Sequence, residues 1–275
     1  MSADRFTASG VFRVGDVLGR AWRIFTGNIL FFLGLPALIY LAVVLAFAVA
    51  TFLVPGKLTD FGPPAVAVSL AAVLALCVAA VGQAVLLLGA FQRLRGEPLR
   101  IGAALRRALA RLLPLLGLAV LWILGLGICT FASLVVLSFT LWGLGTGWML
   151  FLFALASPVA LAPTAILFVT WAVVVPACVI EGLGPLASLF RSFNLTKGYR
   201  WKIFAIMFLP GLAALAGELL EPVVEPASPE LAAVVSAAWF VVVVAYWNCT
   251  IIMIYHHLRV AKEGIDAGQI ASIFD

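Results

Sequence analysis

Between Leu112 and Ile180 the chain runs for 69 residues without a single Lys, Arg, Asp, Glu or His. Water does not tolerate a surface that such a stretch would leave, because soluble proteins rarely expose apolar patches beyond a few hundred Å². About 20 apolar residues span the hydrocarbon of a bilayer, so this interval predicts more than one crossing. The rest of the chain has the same balance, with 65% hydrophobic and 11% charged residues over 275 positions. A soluble domain carries about 25% charged residues. The expectation is an all-α, polytopic membrane helix bundle.

Six apolar runs emerge. The first covers residues 29–54 and ends at Pro55-Gly56-Lys57; the second covers 65–91 and closes on Gln92-Arg93-Leu94-Arg95. The third and fourth divide the uncharged interval, with the best turn at Gly143-Leu144-Gly145-Thr146-Gly147, where glycine permits tight backbone. Pro158, Pro163 and Pro176 predict a kinked or locally unwound fourth span. The fifth covers 203–220, a Pro- and Glu-rich turn follows, and the sixth covers 231–255. The first run is too long and too far from the N-terminus for a signal peptide, and reads as an uncleaved span.

Sixteen of the 17 Lys and Arg fall in the N-terminal segment, in 92–111, in 191–202 or in the C-terminal tail; Lys57 is the exception. The alternate loops instead carry Glu218, Glu221, Glu225 and Glu230. By the positive-inside rule this predicts an even number of spans with both termini cytoplasmic. The net charge of +5 thus points to anionic headgroups rather than to nucleic acid.

The basic segments resemble one another. Leu18-Gly19-Arg20-Ala21-Trp22 recurs as Leu105-Arg106-Arg107-Ala108-Leu109 and again as Leu189-Phe190-Arg191-Ser192-Phe193. Helical spacing places Asp16, Arg20, Arg23 and Gly27 opposite Val17, Leu18, Ala21, Ile24 and Phe25. Arg100, Arg107 and Arg111 likewise oppose Ile101, Leu105, Ala108 and Leu112. A short helix with a basic face suits the membrane interface. The chain therefore reads as one membrane domain, 1–275, of three units at 11–96, 97–180 and 181–264 followed by a short tail. Each unit is an interfacial amphipathic helix leading a transmembrane hairpin, and no attached soluble enzyme is expected.

Reactive constellations are absent from the sequence. There is no H-E-x-x-H, no phosphate-binding glycine loop ending in Lys-Ser/Thr, and no G-x-S-x-G elbow. No cofactor or metal is expected: His256 and His257 are adjacent, hence poorly placed as joint ligands, and Cys77, Cys129, Cys178 and Cys249 follow no disulfide or metal spacing. No charge lies in a span core, where it would mark an ion or proton path. Gln83 and Asn248 are the leading intramembrane polar contacts, read as interhelical hydrogen-bonding groups. The densest polar segment joins Glu181 to Arg191, Asn194, Lys197, Arg200 and Trp201. It reads either as a headgroup- or partner-binding patch, with Glu181 orienting Arg191, or as an ordinary interfacial helix ending at Gly198 with Trp201 as an aromatic anchor.

Trp171 through Pro176, Glu181-Gly182, Arg191-Ser192, Leu195-Thr196-Lys197-Gly198 and Trp201 form a recognisable series, as do Tyr255-His256-His257-Leu258-Arg259, Lys262-Glu263-Gly264 and Ile273-Phe274-Asp275. The chain resembles a bacterial inner-membrane family of six spans. That family includes stand-alone relatives of the membrane domain attached to some glycerophosphodiester phosphodiesterases, and YciC-like proteins. The resemblance implies a bacterial plasma-membrane location and a six-helix bundle, and it brings no catalytic residue, since catalysis in the fused members belongs to a separate soluble barrel. The expected function is a non-enzymatic module that organises lipid or a membrane-protein partner, with homo-oligomerisation open. Its candidate contacts are Arg20, Arg107, Arg191, Glu181, Asn194, Lys197, Arg200 and Trp201. The alternative is a small transporter or permease-like subunit for a neutral or amphipathic substrate.

Overall fold

The computed structural model describes residues 13–53, 63–142, 149–226 and 228–264, and no strand occurs among them. The expected turn at Gly143 through Gly147, Lys57 and the Ile273-Phe274-Asp275 motif lie outside the described residues. Ten helices are described: α1 (Val14–Gly27), α2 (Ile29–Leu53), α3 (Pro63–Leu94), α4 (Ile101–Ala110), α5 (Leu112–Trp142), α6 (Met149–Thr170), α7 (Val174–Ile180), α8 (Pro185–Thr196), α9 (Arg200–Val224) and α10 (Pro229–Glu263).

Six segments are helical, long and apolar enough to cross a bilayer: Ile29–Phe52, Ala65–Leu94, Leu112–Val135, Ala160–Ile180, Arg200–Val224 and Pro229–Glu263. Their mean hydropathy lies between 2.0 and 2.7. Large side chains along them face outward, among them Leu30, Phe52, Phe131 and Leu219. Outward hydrocarbon on long helices is what a lipid solvent requires, since the helix satisfies its own backbone there. The chain is a multi-pass membrane protein.

Long helices pack against their chain neighbours, α2 on α3, α5 on α6 and α9 on α10. The core gathers around the last third of α10, and α10 as a whole touches α1, α2, α3, α7, α8 and α9. Every residue from Asn248 to Arg259 is buried, the signature of a helix surrounded on all sides. The short helices α1, α7 and α8 pack against α10. In α1, Val17, Ala21 and Phe25 are buried at four-residue spacing while Arg13, Asp16 and Arg23 are exposed. The Tyr246 hydroxyl of α10 donates to the Leu18 carbonyl (3.3 Å), and the Trp22 ring meets Tyr246 edge-on.

The prolines of span four act unequally. Helix continues through Pro158 and Pro163 and breaks at Trp171-Ala172-Val173, ahead of Pro176. Pro176 sits in the first turn of α7, where a missing N–H is harmless; in a continuous helix it would have deprived the Ala172 carbonyl of its donor. The break carries the Val174 N–H to the Trp171 carbonyl (3.2 Å). The Thr170 carbonyl instead accepts the Ser192 hydroxyl of α8 at 2.7 Å. The discontinuity thereby becomes a docking point for the third short helix.

Candidate functional site

Two polar clusters stand out, one closed and one open. The closed cluster joins the α7–α8 turn, α8 and the end of α10. Glu181 Oε2 accepts from Arg191 Nε at 2.8 Å, and its Oε1 accepts from the Tyr255 hydroxyl at 2.8 Å. Glu263 Oε1 pairs with Arg191 Nη2 at 2.5 Å, and its Oε2 with Arg259 Nε at 2.7 Å. Arg259 Nη1 completes the circuit, 3.7 Å from Glu181 Oε1 and donating to the Tyr255 oxygen at 3.3 Å. Two acids and two bases make a neutral ring in which all four carboxylate oxygens are engaged. Burial alone would lower the Arg191 pKa, but the hydrogen bonds and charges of Glu181 and Glu263 outweigh it and hold the guanidinium above its ordinary value.

Local backbone explains how the ring forms. α7 ends at Ile180, and Gly182 takes φ +71, turning the chain toward α8. The Gly182 carbonyl accepts Arg111 Nη1 at 2.6 Å, which ties the turn to the start of α5. Gly184 caps α8 with Pro185 at its first position, a placement that spares an orphan N–H. On α10, Tyr255, Arg259 and Glu263 recur every four residues and share one face.

The open cluster lies where α3 hands over to α4. α3 ends in a Schellman motif: Gly96 at φ +75 donates to the Arg93 carbonyl, and Glu97 donates to the Gln92 carbonyl at 2.9 Å. The Gln92 side-chain oxygen then accepts the Arg100 N–H at 3.0 Å. This hairpin-tight connection walls a cavity of about 670 Å³ lined by Arg95, Arg100, Arg106 and Arg107, with Leu88 and Phe91 as an apolar floor. Glu97 is its only acid, paired to Arg95 at 2.8 Å. Arg100, Arg106 and Arg107 are exposed and make no side-chain hydrogen bond or ion pair among the described residues.

No family model matches the chain, and no curated protein and no solved structure matches it. The site residues therefore stand on geometry.

The three motif arginines occupy different surroundings. Arg20 is half-buried on α1, beside a groove shared with Arg23, Asn28 and Arg93, where Arg93 Nη2 donates to Asn28 Oδ1 at 2.6 Å. Arg107 opens into the α3–α4 cavity. Arg191 is held in the ring. Of the polar segment after span four, only Glu181 and Arg191 come together. Asn194, Lys197 and Trp201 are exposed, with the Asn194 backbone carbonyl accepting from Lys262 Nζ. The Arg200 guanidinium stacks on the Phe193 ring at 4.8 Å. Gly198 takes φ +88 just past the end of α8, the left-handed conformation the sequence suggests.

Among the described residues, neither intramembrane amide makes a hydrogen bond to another helix. Asn248 Nδ2 donates back to the Val244 carbonyl of its own helix (2.8 Å), and its Oδ1 is buried without a hydrogen bond. The four-residue reach along α10 wins because it needs no partner helix to come close. Gln83 makes no hydrogen bond among the described residues and instead borders a cavity of about 280 Å³. Trp122, Trp171, Trp247 and Phe168 also line it, at the α6–α7 break. Sequence reasoning missed Tyr255, Arg259 and Glu263 as ring members, although their four-residue spacing was visible. It also missed Arg95, Arg100 and Arg106 as walls of one cavity, because that depends on how the loop folds back.

Proposed function

We propose that the protein is a non-enzymatic integral membrane module that organises anionic lipid, or a membrane-protein partner, through its basic cytoplasmic interface. The observation that carries this reading is the three-way division of α4. Ala104 and Ala108 are buried, Ile101, Leu105 and Leu109 are exposed, and Arg106 and Arg107 are exposed beside them. Exposed leucine and exposed arginine on one short helix suit a boundary with hydrocarbon below and headgroups above. On this reading α1, α4 and α8 are the interfacial leaders of three transmembrane hairpins. Both termini are cytoplasmic and the membrane is the bacterial plasma membrane, as the charge asymmetry and the family resemblance suggest. The test is lipid analysis of the protein purified from mixed-lipid nanodiscs. Enrichment of anionic over zwitterionic lipid is expected; lipid recovered in bulk proportion, with no co-isolated partner, would overturn the reading.

A second reading, a transporter or permease-like subunit for a neutral or amphipathic substrate, is favoured by the cavity at the α6–α7 break. Discontinuous helices line substrate sites in transporters, and the unbonded Gln83 amide beside aromatic walls suits an uncharged molecule. An apolar cavity of about 150 Å³ holds benzene, so this one has room for a small organic group. Quenching of tryptophan fluorescence by a brominated amphipath, lost in Ala119→Phe, is the expected result. Equal quenching in both proteins would remove the support.

A further inference from the structure

We propose that the cavity between the end of α3 and α4 is a binding site for a phosphate-ester oxyanion, supplied by the headgroup of a membrane phospholipid. The proposal rests on the lipid-organising reading and assigns it an address.

Four guanidinium groups converge on this cavity against a single carboxylate, and that carboxylate is already paired to Arg95. Like charges held together repel, so an oxyanion among Arg100, Arg106 and Arg107 removes a repulsion as well as making bonds. Arginine presents a planar fork of donors that matches phosphate oxygens two at a time. The wall is built rather than loose: the Schellman turn and the bond from the Arg100 N–H to Gln92 fix the connection that carries Arg95 and Arg100. The floor of Leu88 and Phe91 is buried hydrocarbon, fit for the glycerol end of a headgroup but of no use to a bare ion. A volume of about 670 Å³ falls within the range of roughly 300–1,000 Å³ of small-molecule sites, so a whole headgroup fits. The leucine stripe of α4 sets the cavity at headgroup depth by anchoring the helix from its other side.

The neutral ring offers no comparable opening, because all its carboxylate oxygens and both its arginines are engaged internally. In the α3–α4 cavity, by contrast, four arginines meet a single carboxylate.

The experiment uses the full chain in phosphatidylcholine nanodiscs doped with phosphatidylglycerol, reading bound lipid by native mass spectrometry. Arg106→Gln with Arg107→Gln should weaken phosphatidylglycerol retention at least about tenfold, since each juxtamembrane cation contributes roughly 1 kcal/mol. A charge-matched control, Arg13→Gln with Lys202→Gln, should retain it. Ala103→Trp keeps every charge but fills the cavity, and should also release the lipid. If both double variants lose lipid equally and Ala103→Trp loses none, attraction is diffuse; the site is then overturned while the lipid-organising reading stands. If the wild-type protein retains no phosphatidylglycerol, that reading itself fails. A parallel arm titrates inorganic phosphate in pure phosphatidylcholine discs. Saturable phosphate binding abolished by Ala103→Trp, without phosphatidylglycerol retention, would show a soluble anion site and overturn the lipid assignment.

Discussion

Neutralising Glu181 should unlock the ring and loosen the end of α10. The Glu181 and Arg259 side chains are 7% and 4% exposed, whereas Arg191 and Glu263 are 27% and 21% exposed. Removing one partner of a buried pair costs about 3–5 kcal/mol, because the other charge remains in low dielectric. Glu181→Gln belongs at the lower end, since Arg259 keeps Glu263 at 2.7 Å and Arg191 reaches solvent. At about 2–4 °C per kcal/mol for a chain of this size, a loss of about 3 kcal/mol lowers Tm by roughly 6–12 °C. Glu263→Gln should cost about half as much, because screening discounts a partly exposed carboxylate. The assay is thermal unfolding in one fixed lipid or detergent, followed by helical circular dichroism. Charge balance gives a sharper check: Glu181→Gln with Arg191→Gln restores neutrality, so the double variant should be more stable than the summed single effects by about 1–3 kcal/mol. A Tm change below about 3 °C for Glu181→Gln, or additivity within about 0.5 kcal/mol for the double variant, would refute a coupled ring.

Other positions make separate demands. Gly96 and Gly182 both take positive φ, but only at Gly182 would a Cβ meet a neighbour, lying 2.6 Å from Arg111 Nη2. Gly96→Ala should therefore cost about 1–2 kcal/mol. Gly182→Ala should cost clearly more, and Arg111→Ala should remove the difference when the variants are compared by thermal unfolding. Ser192→Ala leaves the buried Thr170 carbonyl with a poor donor, since Thr196 Oγ1 is 3.4 Å away. Its expected cost is about 1–3 kcal/mol, and an unchanged Tm would mean that the α6–α7 break finds its partner elsewhere. Asn248→Leu removes an amide whose buried oxygen has no hydrogen bond, so stability should stay within about 1 kcal/mol or rise. A loss beyond about 2 kcal/mol would reveal a buried water or another partner there.

What the sequence disclosed and what it withheld divide along the range of the forces involved. The apolar runs were legible because hydrocarbon demands about 20 consecutive apolar residues, a purely local requirement. The left-handed Gly198 was legible for the same reason. The meeting of Glu181 with Arg191 spans only a turn and part of α8, and it too was readable. Arg259 and Glu263 join from more than 70 residues away, where no local rule reaches, although their spacing with Tyr255 already placed all three on one face. The prolines misled in part because only Pro176 coincides with a new partner: the Ser192 hydroxyl donates to the Thr170 carbonyl, and nothing comparable is described beside Pro163. Charge accounting links these fragments to the proposed site. Near the basic segments the described acids are Asp16, Glu97, Glu181 and Glu263. The ring consumes Glu181 and Glu263 to neutralise Arg191 and Arg259, both buried or half-buried and thus unable to rely on water. Acid is spent where desolvation makes an unpaired cation costly, which leaves the exposed arginines of α4 available to the oxyanion of the proposed site.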